Sequence, residues 1–195
     1  MIVGISGTHG TGKSTILQGV KAAGYSVDET QLARSAQKAL GWDKLSIAQE
    51  STENMWALQD AILSAIDVRD KAAKEANNVV VVERTPADLW AYTSMWCTRL
   101  GINPYTDWRA QNYKFKCRDI ARKYSMILVV PAIPEVPFVE DPNRADLVSR
   151  DYVAGEISDF IHIGCLPSKI FWTSSKESRI AEAVQILQTI SALSV

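Results

Sequence analysis

"GISGTHGTGKST", residues 4–15, decides how the rest of this chain is read. Residues 2–6 (IVGIS) ahead of it are short and apolar, as in a buried strand, and residues 13–23 after it have the spacing of a helix. Between them Gly7-Thr8-His9-Gly10-Thr11-Gly12-Lys13-Ser14 fits G-x-x-x-x-G-K-[ST], in the strand-to-helix setting that a phosphate-binding loop requires. Without a Cβ, Gly7, Gly10 and Gly12 can adopt dihedrals that let backbone N–H groups close around a polyphosphate. The loop runs into a helix N-terminus, where unpaired N–H groups and the helix dipole favour an anion. Thr8, His9, Gly10, Thr11, Gly12, Lys13, Ser14 and Thr15 are therefore the expected nucleotide-binding set. Lys13 bridges the β and γ phosphates in this reading, and the Ser14 hydroxyl holds Mg²⁺. His9 fills a variable position and is read as a spacer. The alternative is a glycine-rich turn that binds nothing.

The whole chain bounds what such a loop can serve. It has 195 residues, 47% of them apolar, and a formal charge of -1, which fits one domain (residues 1–195) around one sizeable core. No stretch has the length of a membrane span, and the N-terminus lacks the basic start and apolar core of a signal peptide, so the expectation is a cytoplasmic protein, in the host cytoplasm if viral. Cys97, Cys117 and Cys165 are odd in number and far apart, which suits neither a disulfide framework nor a zinc site. A pI near 6.1 gives no overall cationic field for nucleic acid.

Strand and helix patterns alternate along the chain. After the loop come a strand at 25–29, a helix at 30–40, a long helical pattern at 47–76 and the β-branched strand VVVVE at 79–83. Helices at 86–100 and 105–123, a strand at 125–130, a helix at 145–163, a strand at 169–174 and a helix at 177–193 complete the series. This alternation predicts an α/β fold with a parallel sheet of about five strands and helices on both faces, and with the Gly7–Ser14 loop the expectation is a three-layer P-loop NTPase sandwich.

The second decisive stretch is VVVVERTPADLWAY, residues 79–92. An acid ending a buried strand lies at the carboxyl edge of the sheet, where open α/β sheets bind ligands. Glu83 there can order Mg²⁺ or accept a proton from an attacking hydroxyl, and Arg84 offers a fork of donors to a phosphate or a phosphoryl group in flight. The competing reading is an acid capping the next helix beside an arginine on a solvated face. No N-K-x-D run reads guanine, and the chain is short for an AAA-type ring ATPase with its extra helical domain.

The Gly7 to Ser14 loop, the strand ending in Glu83-Arg84-Thr85 and a late arginine pair, Arg144 and Arg150, resemble the thymidylate-kinase and deoxynucleoside-kinase group of P-loop kinases, including the ribosylnicotinamide-kinase-like proteins common in phages. The resemblance implies substrate and catalytic roles for Glu83 and Arg84. It implies an acceptor contact for an acid ending the second strand, Asp28 or Glu29, though the spacing to Arg34 departs from the group's pattern and both can instead cap the next helix. It also implies that the region around 134–155 closes over ATP and brings Arg144 and Arg150 to the transferring group. An exposed helix with an Asp146–Arg150 pair is the alternative.

The helices spanning 86–123 are aromatic and basic. In this fold class they line the acceptor pocket, with Trp90 the expected stacking residue; the competing reading makes these aromatics core. The expected activity is transfer of the γ-phosphoryl of ATP·Mg²⁺ to a nucleoside or nucleotide. A kinase acting on 5-hydroxymethyluracil in phage DNA and a nucleotide-dependent regulatory ATPase are the alternatives, and a homodimer is left open.

Overall fold

The computed structural model describes residues 1–132, 147–171 and 175–193. Five strands, β1 (Ile2–Ser6), β2 (Ser26–Asp28), β3 (Val80–Glu83), β4 (Met126–Val129) and β5 (Ser168–Ile170), form one sheet in the order β2-β3-β1-β4-β5. Every pairing is parallel. Seven α-helices are described: α1 (Lys13–Ala22), α2 (Leu32–Ala39), α3 (Thr52–Glu75), α4 (Pro86–Arg99), α5 (Trp108–Ala121), α6 (Leu147–Ile163) and α7 (Lys176–Ala192).

Alternation along the strands sorts side chains into two cores. Val3, Ile5, Val81, Leu128 and Val130 pack with Ile16, Leu17 and Val20 of α1 and Ala183, Leu187 and Ile190 of α7. Ile2, Val80, Val82 and Ile127 face the other way, into the larger core with α3, α4, α5 and α6. Gly4 falls on that second face, where an added Cβ would stand 2.5 Å from Thr85 Cγ2. Only a residue without a side chain lets α4 begin so close to β1. The expected three-layer parallel sandwich is thus the fold of the chain.

The expected helix at 47–76 is divided. Leu45–Gln49 is a 3₁₀ turn, and α3 begins afresh at Thr52 because Ser51 accepts a hydrogen bond from Asn54 N and caps it. The last strand is described as Ser168–Ile170; residues 172–174 of that expectation lie outside the described residues. The same holds for 133–146, which includes Arg144 and most of the segment expected to close over the nucleotide. Cys97, Cys117 and Cys165 are free thiols. No described helix is long and apolar enough to cross a membrane.

Candidate active site

Parallel pairing brings the ends of β1 and β3 side by side, with Ile5 opposite Glu83. The loop after β1 therefore emerges at the carboxyl edge beside Glu83 and Arg84. Gly7, Gly10 and Gly12 have φ of 149°, 67° and 90°, in the region that favours glycine. Gly7 has a further reason: a Cβ there would lie 2.4 Å from the Val130 carbonyl oxygen. Gly12 is also the N-cap of α1, and no side chain caps this helix, whereas α3, α4, α5 and α7 begin on a capping Ser51, Thr85, Asp107 and Ser175. The first-turn N–H groups of α1 are left to whatever the loop encloses.

Inside the loop, Lys13 is buried and its Nζ donates to the Thr8 carbonyl oxygen. Thr11 Oγ1 donates to the same oxygen at 3.0 Å. Thr15 is half-buried in the first turn of α1. Ser14 Oγ donates to Glu83 Oε2 at 3.1 Å, so the two expected metal-binding residues touch. Strand parity explains it: Val79 and Val81 face α1, and Glu83 continues that row. A hydroxyl and a carboxylate are hard oxygen donors, a set that suits Mg²⁺ completed by phosphate and water.

Arg84 sits next to Glu83 with φ 67°, a left-handed conformation uncommon outside glycine. Its side chain is 34% exposed and Nη1 stands 3.9 Å from Asp88 Oδ1. Burial works against its charge, but the facing Tyr92 hydroxyl and the Asp88 carboxylate hold it above the ordinary arginine value.

Three residues unassigned by the sequence reading fasten this corner. Asp88 Oδ1 accepts from Gly7 N at 3.0 Å, while Oδ2 accepts from Thr85 N at 2.8 Å and Thr85 Oγ1 at 3.0 Å. It thus closes the capping box of α4 and ties that helix to the phosphate loop. Arg69, in α3, donates from Nη1 to the carbonyls of Glu83 and Arg84 at 2.8 and 3.1 Å, and from Nη2 to Tyr124 at 2.8 Å. Its charge is matched by Asp70, 2.8 Å away. Arg179, in α7, donates to the Thr11 carbonyl at 3.0 Å and braces the loop from the other face. The T-x-x-D cap at 85–88 could be found in the sequence; the two arginines could not, because their partners are distant in the chain.

The remaining expected residues are dispersed. Asp28 ends β2 in register with Val82, and its Oδ1 accepts from Thr30 N at 2.9 Å. Glu29 turns to α1, where Lys21 bonds it at 2.8 Å and Gln18 also donates; Lys21 and then Gln18 hold its carboxyl below the usual range. Arg150 is buried on α6. Trp90 is fully buried, with Nε1 donating to Glu156 at 2.9 Å and Lys114 Nζ over its ring at 4.6 Å, the environment of a core residue. An open groove of about 500 Å³ between α3 and α5 is lined by Asp60, Leu63 and Ile120 among others, and by no residue of the loop.

A phosphate loop, an acid at a strand end and an adjoining arginine on a five-stranded parallel sheet define a P-loop nucleotide-binding domain. The chain belongs to the family described as "AAA domain", whose model matches residues 2–161, from β1 into α6. Among curated proteins it is 33% identical over 87 residues to the "Putative deoxynucleoside kinase" of Frog virus 3 (isolate Goorha), covering 43% of this chain and 41% of that protein. The chain thus spans about two fifths of the length of that relative. Its fold is similar to deoxyadenosine kinase from M. mycoides with dCMP and a flexible dCDP bound, at TM-score 0.70 and 14% identity, covering 97% of this chain and 100% of that one. It is also similar to NadR protein in complex with NR, at TM-score 0.67 and 15% identity, covering 97% of this chain and 50% of that one.

Proposed function

We propose that this protein is a kinase that transfers the γ-phosphoryl group of ATP to a hydroxyl of a deoxynucleoside or a related nucleoside. The observation that carries the reading is the contact between Ser14 and Glu83 at the mouth of a complete phosphate loop, with Arg84 beside it. The kinship with the viral deoxynucleoside kinase and the shared fold with deoxyadenosine kinase support the acceptor class.

Lys13 exchanges its bond to the Thr8 carbonyl for the β and γ phosphates, and the glycine-rich backbone fixes their orientation. Ser14 and Glu83 would hold Mg²⁺, which, when bound, neutralises charge on the phosphates. Glu83 is also assigned the acceptor's proton, which it takes as the acceptor oxygen bonds to phosphorus and the bond to the ADP oxygen breaks. Asp28 shares that sheet edge and is the second candidate for this proton. Arg84 meets the negative charge of the moving group; Arg150, and Arg144 outside the described residues, are assigned the same task. Trp90 contributes through packing α4 on α6, and Glu29 through α1.

The test is incubation with γ-labelled ATP and a panel of nucleosides, nucleoside monophosphates and DNA containing 5-hydroxymethyluracil. Label is expected on a deoxynucleoside, and Lys13→Ala should lower transfer by at least about a hundredfold at an unchanged melting temperature. Label on the DNA would move the activity to a modified base, and release of phosphate alone would make the protein an ATPase. Full transfer by Lys13→Ala would remove the mechanism.

A further inference from the structure

α4 presents two side chains to the phosphate loop, Asp88 and Tyr92, one turn apart. Asp88 holds Gly7 at the loop's start. Tyr92 reaches the loop's tip: its hydroxyl and His9 Nδ1 are 3.0 Å apart and share a hydrogen bond whose direction follows the imidazole tautomer. The two rings lie 5.2 Å apart at 41°. Between these two tethers stands Arg84, its Cζ 5.1 Å from the centre of the Tyr92 ring.

What fixes that guanidinium follows from what is already engaged around it. Both Asp88 oxygens are taken by Gly7 N, Thr85 N and Thr85 Oγ1, and at 3.9 Å Asp88 attracts Arg84 without a hydrogen bond to direct it. Arg84 Nη1 is buried with no hydrogen-bond partner among the described residues. Tyr92 supplies both the face against which the cation rests, a contact of the cation–π kind, and a hydroxyl that favours its charge. Tyr92 is itself anchored by His9, which fills a variable position of the loop motif.

We propose that Tyr92 is a positioning residue for Arg84, tied through its hydroxyl to His9, so that the loop's hold on ATP and the placement of Arg84 are one mechanical unit. Loop tip, phenol, guanidinium, Asp88 and loop start form a closed circuit, and a displacement of His9 is passed to the arginine across two contacts. The role in turnover rests on the kinase reading; the link between His9 and Tyr92 does not.

The experiment is a double-mutant cycle of Tyr92→Phe and His9→Ala, read first by calorimetric titration with ATP·Mg²⁺ and no acceptor. Tyr92→Phe keeps the ring under Arg84 and removes the hydroxyl that faces both His9 and the guanidinium. Each single variant should weaken ATP about fivefold, the scale of one net hydrogen bond, and the double variant should bind no more weakly than either single one. In transfer from ATP to deoxyadenosine, or to whichever nucleoside of the panel the wild type phosphorylates, kcat should fall about tenfold with the nucleoside KM within about twofold. Tyr92→Leu, which removes the ring, should lower kcat about tenfold further. Melting temperatures accompany each titration, and because His9 lies at the loop tip, His9→Ala carries the test where a Tyr92 variant folds poorly. Additive losses in the cycle, wild-type behaviour of Tyr92→Phe, or a loss confined to the nucleoside KM would overturn the proposal, the last making Tyr92 a substrate contact. If the wild type phosphorylates no acceptor, the kinase reading falls, while the ATP cycle still decides whether His9 and Tyr92 act together.

Discussion

Shifting Glu83 by one position along β3 would carry its carboxylate from the α1 side of the sheet to the α3 side and away from Ser14. Its chemistry is therefore a matter of parity as much as of residue type, and parity was readable: the valine run before it is buried on both faces, and every second residue faces α1. Replacing Glu83 by Gln keeps the shape and an oxygen for Ser14 while removing the charge. ATP affinity should stay within about threefold and turnover should fall about a hundredfold, within the range for loss of a general base. Binding and single-turnover measurements on the same preparation separate the two; equal turnover would pass the proton to Asp28. The choice between Asp28 and Glu29 was not readable, since both end the same short strand. In the structure Glu29 is engaged by Gln18 and Lys21 of α1, partners that only the folded chain brings to it, while Asp28 accepts from Thr30 N.

Elements meet at the corner where β3 turns into α4, and there the main fastening is Arg69 of α3. Its donors hold the Glu83 and Arg84 carbonyls, while Asp70 and Tyr124 satisfy the rest of the guanidinium. Capping residues and strand runs announce themselves locally, which is why the boundaries of α4 and β3 could be read from the chain. Arg69 could not, because an arginine in a helical pattern reads as a solvated face until the strand end it serves has been placed beside it. Burial pushes the Asp70 carboxyl up, and Arg69 works against that rise. In Arg69→Met the opposing charge is gone and the carboxyl rises further. A folded-state pKa above the unfolded value means that the folded variant binds the proton more tightly. Its relative stability is then greatest in acid and is lost as pH rises through the carboxylate range. The variant should thus be destabilised by about 3 kcal/mol at pH 7, and by clearly less near pH 4. Urea melts at the two pH values measure the difference; an equal loss at both would mean that Asp70 plays no part.

At the scale of the molecule the phosphate loop is fastened to both layers of helices. Asp88 draws Gly7 toward α4 on one face of the sheet, and Arg179 draws the Thr11 carbonyl toward α7 on the other. Alternating strands and helices predicted the parallel sheet, but the order β2-β3-β1-β4-β5 depends on pairings between residues 78 and more than 120 positions apart, such as Ile2 with Val80 and Val3 with Met126, which local pattern does not encode. That order makes β1 central and gives its loop access to both cores. A ligand held by the loop should consequently stabilise the whole domain, as well as the residues it touches. At ATP·Mg²⁺ about a hundred times its dissociation constant, linkage gives about 2.7 kcal/mol, and for a chain of this size the melting temperature should rise by roughly 5–10 °C. Hydrogen exchange locates the effect: amides in the first turns of α4 and α7 should gain protection together with those of α1, and chelating the metal with EDTA should remove most of the gain. Protection confined to the loop and α1 would show that the two tethers hold the loop without coupling it to the layers behind it.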